Sequence, residues 1–270
     1  MSEKSKAAFN DYIEPEAASA APPPFAQAVT LQGSPPPVSR SRFASITRNA
    51  LDRIRLIHFS EVEMAAIHEV IRSNWERGID KVYPGEESRE IKLKGYAWGY
   101  DFNGKEEAIL LVLRLLEALY NMGWMLYSPI EVTNRVSTTD ALVFRQQNHV
   151  PRSCEWITIS FHRGDKLKIL NHPPPDLSAE VIATFITDIQ KHEVTPERTK
   201  IKFKKFPWGP TGYNDVESQL KLLALLEVVE RYGFTLYART TARYSDETSE
   251  SNVLVFQRHS GWVPGTPLYH

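Results

Sequence analysis

Ile91-Lys92-Leu93-Lys94-Gly95-Tyr96-Ala97-Trp98-Gly99 returns 110 residues later as Ile201-Lys202-Phe203-Lys204-Lys205-Phe206-Pro207-Trp208-Gly209. Each copy opens with apolar residues alternating with lysines, the period of a strand with one face inward, and ends at a tryptophan corner. The flanking segments recur in the same order. Trp124-Met125-Leu126-Tyr127 after Gly123 is answered by Phe234-Thr235-Leu236-Tyr237 after Gly233, and Ala141-Leu142-Val143-Phe144 by Val253-Leu254-Val255-Phe256. Self-similarity at a fixed distance over this length is the mark of a tandem duplication.

Each copy reads as β-β-α-β-α-β-β. In the first, strands are expected over 43–47 and 53–59 around a turn at Asn49. Ser60 then caps a helix through Trp75, with Glu63 completing a capping box. Val62, Ala65, Ala66, Ile67, Val70 and Ile71 form its apolar face. After the strand 90–96 comes a helix over about 105–122, apolar on nearly every side, which must therefore be covered from more than one direction. Gly123 ends it, and strands 124–131 and 141–146 close the unit. The second copy repeats the plan: strands 156–161 and 166–170, and a helix opened by Ser178 and running to Gln190 with Val181, Ile182, Phe185, Ile186 and Ile189 inward. A strand over 200–206 and a helix over 215–232 ending at Gly233 follow. Leu113 and Leu223, at equivalent places on the two long helices, are both expected inside. The fold class is α+β: a tandem two-layer sandwich, helices on one face of a mixed sheet. How the two units meet is left open, side by side or through a continuous sheet.

Residues 1–42, rich in Ala, Pro and Ser, are expected to form a disordered tail, since such a segment buries too little apolar surface to offset its ordering entropy. The first repeat then spans 43–150 and the second 151–270, with a short irregular C-terminal tail. The chain has 32 basic and 33 acidic residues, a net charge of -1, so no whole-molecule field attracts nucleic acid or an anionic membrane. Cys154 is the single cysteine, which excludes an intramolecular disulfide and a four-cysteine zinc site. Its segment also holds Arg152 and Glu155, charges that oppose each other, and a spectator thiol is expected. No secretory leader and no apolar run of membrane-spanning length is read, so the expected compartment is the cytosol or nucleus.

Ser73-Asn74-Trp75-Glu76-Arg77-Gly78-Ile79, Lys92 to Trp98, Gly123-Trp124-Met125-Leu126-Tyr127-Ser128 and Ala141-Leu142-Val143-Phe144-Arg145 together resemble a widespread fungal protein family of tandem α+β repeats without a known activity. The resemblance implies a folded, duplicated family and brings no chemistry with it.

No catalytic motif is present. Neither a phosphate-binding glycine loop nor a dinucleotide fingerprint, a zinc-binding helix motif or a nucleophile elbow occurs, and no histidine pairing recurs between copies. Catalytic residues, metal ligands and a cofactor are accordingly not assigned. The one repeated polar feature is a lysine face: Lys92 and Lys94 before Trp98, and Lys202 and Lys204 before Trp208. Two such basic-aromatic strips could grip a protein partner or a phosphate backbone. Lysines are equally ordinary on the wet face of a sheet, and the tryptophans could simply plug the strand-to-helix corners. A hydrophobic skeleton that recurs without a recurring catalytic polar set favours a non-enzymatic binding or scaffold protein that offers an open sheet face or inter-repeat groove to a protein partner. A nucleic-acid-binding protein is the alternative reading, and an enzyme with a pocket between the repeats the third.

Overall fold

The computed structural model describes residues 41–98, 106–130, 141–149, 151–162, 164–208, 215–242 and 251–268. The proline-rich tail and the glycine-containing loops before the two long helices lie outside them. The first repeat runs β1 (Phe43–Asn49), β2 (Arg53–Ile57), α1 (Glu61–Asn74), β3 (Ile79–Pro84), β4 (Ser88–Leu93), α2 (Glu106–Asn121), β5 (Trp124–Ile130) and β6 (Ala141–Gln146). The second runs β7 (Cys154–His162), β8 (Lys166–Leu170), α3 (Pro175–Thr184), β9 (Ile189–Val194), β10 (Arg198–Phe203), α4 (Asp215–Arg231), β11 (Thr235–Ala242) and β12 (Ser251–His259).

The strands form two six-stranded sheets of one topology, β3-β4-β2-β1-β6-β5 and β9-β10-β8-β7-β12-β11. Every pairing is antiparallel, so the sheets are not mixed. The α+β duplication stands, with one strand per repeat beyond the sequence pattern. These extra strands, β3 and β9, lie at sheet edges, and residues such as Gln190-Lys191-His192-Glu193 are exposed along β9. An edge strand carrying polar side chains has no apolar alternation to announce it.

Local chemistry sets the helix ends. Ser60 and Glu63 make the expected capping box on α1. The Glu63 carboxylate also accepts the Trp124 Nε1–H at 3.0 Å and an Arg42 guanidinium N–H at 2.8 Å, which ties α1 to β5 and to the start of β1. The buried stripe of α1 is Met64, Ile67 and Ile71; Val62, Ala65 and Ala66 face outward, so its apolar face is narrower than the sequence pattern. In the second repeat α3 begins at Pro175, three residues before Ser178. Proline at the first helical position gives up only an N–H that would have no helical partner there. Ser178 is buried inside the helix and accepts the Thr199 hydroxyl at 2.7 Å. The helix stops at Thr184, and a turn through Asp188 feeds β9.

The two repeats are stacked, not side by side. Helices α1 and α2 cover the inner face of the first sheet, and α2 also lies against β7. One continuous apolar core holds α2 together with Trp156, Leu170, Ala238, Val253 and Val255 of the second sheet. The other face of that sheet packs Ile157, Ile159, Leu167, Ile169, Leu254 and Phe256 beneath α3 and α4. The order of layers is sheet, helices, sheet, helices. The second sheet is buried on both faces, which is why β7 is buried without a break from Trp156 to Ser160 while β1 alternates.

Glu106, Leu113 and Tyr120 lie seven residues apart on one stripe of α2. Glu106 opens α2 and meets three cations of the second sheet: Arg198 at 2.8 Å, Lys200 at 3.0 Å and Lys168 at 3.3 Å. Burial pushes its carboxyl up, but the Lys200 hydrogen bond and the charges of Lys168, Lys200 and Arg198 outweigh this and hold it below the usual range. Burial lowers the Lys168 ammonium, and the attraction to Glu106 only partly offsets that. The contact therefore carries more positive charge than one carboxylate neutralises. Leu113 is fully buried, whereas Leu223, its counterpart on α4, is 55% exposed. That corrects the expectation for Leu223. The stripe of α2 is covered by the next sheet, and among the described residues no further sheet covers α4.

Two outcomes test this stacking. In denaturant unfolding, Leu113→Ala should cost about 3 kcal/mol, and Leu223→Ala no more than about 0.5 kcal/mol; equal costs would contradict it. Glu106→Gln should cost about 2 kcal/mol at neutral pH by taking the carboxylate from Lys168 and Lys200 and leaving Arg198 with Glu193 alone. Since the folded Glu106 titrates below its ordinary 4.5, the stabilisation is complete above that value and is lost as pH falls through the lower folded value. The gap between wild type and Glu106→Gln should therefore close in acid.

Candidate docking face

The pleat of the first sheet turns Phe43, Ser45 and Thr47 of β1, Arg53 and Arg55 of β2, Glu90 and Lys92 of β4, and Val143 and Arg145 of β6 away from the helices. The inward set is Ala44, Ile46, Ile54, Leu56, Ile91, Leu93, Leu142 and Phe144, all buried. On β5 the pairing with β6 slips between Leu126 and Ser128. A bulge re-aims the residue within it, and here it sets Tyr127 beside Phe43, with ring centroids 5.6 Å apart and planes at 85°. Phe43 is 41% and Tyr127 63% exposed.

The second sheet carries the same device, closed. Its bulge falls between Leu236 and Ala238 and sets Tyr237 against Trp156 at 4.9 Å and 88°. Tyr120 of α2 enters this pair edge-on, 5.3 Å from Trp156 and 5.9 Å from Tyr237. The Tyr237 hydroxyl accepts the Leu126 N–H at 3.0 Å, and burial pushes its phenol up to about 12, so it stays neutral at physiological pH. Edge-to-face aromatic contacts of this kind add about 0.5–1.5 kcal/mol each beyond area burial. Phe43 and Tyr127 are thus an exposed aromatic pair at the place where the second sheet holds α2 through Trp156 and Tyr237.

Electrostatics separates the two faces. Lys200 of the second sheet stands where the first has Glu90, each in register beside a basic residue of the adjoining strand, Lys168 and Arg55. Glu90 accepts from Arg53 at 2.5 Å and from Arg55 at 2.8 Å. Burial raises its carboxyl, and the two arginine hydrogen bonds more than reverse this. The first sheet pairs Arg53 and Arg55 with its own Glu90, whereas Lys168 and Lys200 of the second pair with Glu106 from α2.

The six residues singled out by sequence do not share one surface. Lys92 bonds Asp80 at 2.6 Å, Lys94 is exposed, Lys202 lies 4.0 Å from Asp165, and Lys204 donates to the Thr187 carbonyl at 2.8 Å. Trp98 is buried and donates to the Arg53 carbonyl at 3.2 Å. Trp208 packs 4.7 Å from Phe161 and 5.7 Å from Phe203. The tryptophans thus fill the corners of the cores while the lysines turn outward. Sequence reading passed over Phe43 and Tyr127; the signal was the paired recurrence of aromatics at 43 and 156 and at 127 and 237.

Cys154 is the first residue of β7 and lies 3.3 Å from His259 Nδ1 and 3.4 Å from the Tyr120 hydroxyl. Burial raises the thiol, so it is held protonated, unlike a nucleophilic thiolate. A cavity of about 650 Å³ beside it is lined by Arg152, His259, Trp262 and the C-terminal residues 266–268. Another, of about 630 Å³, lies at the α1 N-terminus between Arg42, His58, Glu61 and Glu87. Among the described residues no helix is long and apolar enough to cross a membrane.

No curated protein matches the chain. The crystal structure of a conserved kinetoplastid-specific protein from Trypanosoma cruzi is similar at 16% identity, covering 39% of this chain and 95% of that one with a TM-score of 0.31. One domain-family model matches twice, over residues 42–145 and 155–257. The chain belongs to that family and carries its domain in two copies.

Proposed function

We propose that the protein is a non-enzymatic binding or scaffold protein of the cytosol or nucleus, and that the open face of its first sheet receives an amphipathic helix from a protein partner. The observation that carries this reading is the Phe43–Tyr127 pair, exposed on the first sheet, while its homologue Trp156–Tyr237 grips α2. A helix laid on an aromatic-centred face binds through a few anchors at helical spacing. Lys92, Lys202 and Lys204 already give their charges to Asp80, Asp165 and the Thr187 carbonyl, which favours a protein partner over a phosphate backbone. The fungal family that the tryptophan-centred segments resemble sets no activity against a binding role.

Fluorescence anisotropy with labelled helical peptides, bearing an apolar stripe at i, i+4 and i+7 and acidic flanks, tests the reading. Saturable binding to the full chain is expected, weakened about tenfold or more by Tyr127→Glu. Absence of binding across the panel, or equal binding by Tyr127→Glu, would contradict it.

A further inference from the structure

The two halves of the internal contact recur, exposed, on the first sheet and on α4 of the same molecule. Counting 110 residues on from Glu106, Leu110 and Leu113 of α2 gives Val216, Leu220 and Leu223 of α4. On α2 this stripe is closed by the second sheet. On α4 it faces outward, with Val216 71% and Leu220 60% exposed. At the far end of the stack lies the first sheet with its uncovered aromatic pair. Three large aliphatic residues aligned on one exposed helix stripe are more than scattered surface apolarity, and they match the geometry of a contact the chain already makes.

The chemistry has changed on both halves together. Where the second sheet has Lys200 the first has Glu90, and where α2 has Glu106 the outer stripe of α4 has Val216. A carboxylate at 216 set down on the first sheet would meet Glu90. Valine meets a Glu90 already ion-paired with Arg53 and Arg55 instead. Glu227 and Glu230 give the outer stripe of α4 an acidic end, whereas Arg53, Arg55 and Arg145 outweigh Glu90 on the sheet face. Glu230 takes the place of Tyr120, so the group brought over the exposed Tyr127 phenol is a carboxylate.

We infer that the occupant of the open sheet face is α4 of a second copy of this chain, so that molecules join head to tail by repeating the contact that joins their own two repeats. The inference rests on the helix-receiving reading of that face and names its partner. A head-to-tail contact uses different surfaces on the two molecules and extends into an open chain unless the rotation closes it into a ring.

Sedimentation velocity over a concentration series tests it, with Leu220→Glu/Leu223→Glu on the helix stripe and Tyr127→Glu on the sheet. All three side chains are exposed, and circular dichroism verifies that the variants fold. The wild type should grow beyond dimer with concentration, each variant alone should stay monomeric, and an equimolar mixture of the two should give a one-to-one dimer and nothing larger. A wild type that stays monomeric up to about 100 μM overturns the inference. So does a mixture that forms no dimer, or Tyr127→Glu protein that still self-associates through paired α4 helices. A monomeric wild type that still binds the helical peptides through Tyr127 would overturn self-docking alone; one that is monomeric and binds no peptide would overturn the reading of the face as well.

Discussion

A helix that is apolar on nearly every side has no stable place on the surface of a two-layer sandwich. The structure depends on how α2 meets this constraint: its own sheet covers one side and the next repeat's sheet covers the other. Each Å² of apolar area removed from water is worth about 25 cal/mol, so the cover from the second sheet adds to that from the helix's own sheet. Glu106 adds direction to this apolar drive. Its carboxylate has one place to go, among Lys168, Arg198 and Lys200, and that fixes how far along the sheet the helix lies.

Stacking makes the two repeats chemically unequal although their topology is the same. The second sheet is an interior layer and has Trp156, Val253 and Val255 where the first has Phe43, Ala141 and Val143. The first sheet is an outer layer, and its charges are resolved locally through Arg53, Arg55 and Glu90. Terminal units of stacked proteins carry polar outer faces to stop the stack. Here that polarity is incomplete at both ends: the aromatic pair stays open on the sheet, and three aliphatic residues stay open on α4. The proposed function and the self-docking both grow from this incompleteness.

Much of the fold could be read from the chain. The recurrence of Ile91–Trp98 at Ile201–Trp208 gave the duplication, Ser60 and Glu63 gave the start of α1, and the all-round apolarity of α2 gave its need for two covers. What covers it was not readable, because an apolar stripe does not say whether its partner lies in the same repeat or the next. Leu223 shows the consequence: identical in type and place to Leu113, it is exposed because no second sheet among the described residues covers α4. The edge strands β3 and β9 lacked alternation, and Ser178 looked like a helix cap until Thr199 claimed its hydroxyl. The docking face was half legible. Its aromatics recur in sequence, but their exposure follows from which sheet is outermost.

Native-state hydrogen exchange on the full chain tests the central claim most directly, since a helix shared by two sheets must open with both. Amides of α2 and of β7 should exchange through one cooperative opening, with the same free energy and the same denaturant dependence. Separate openings, with α2 and the first sheet released while β7 stays protected at a distinct free energy, would show that each repeat closes its own core and would contradict the account.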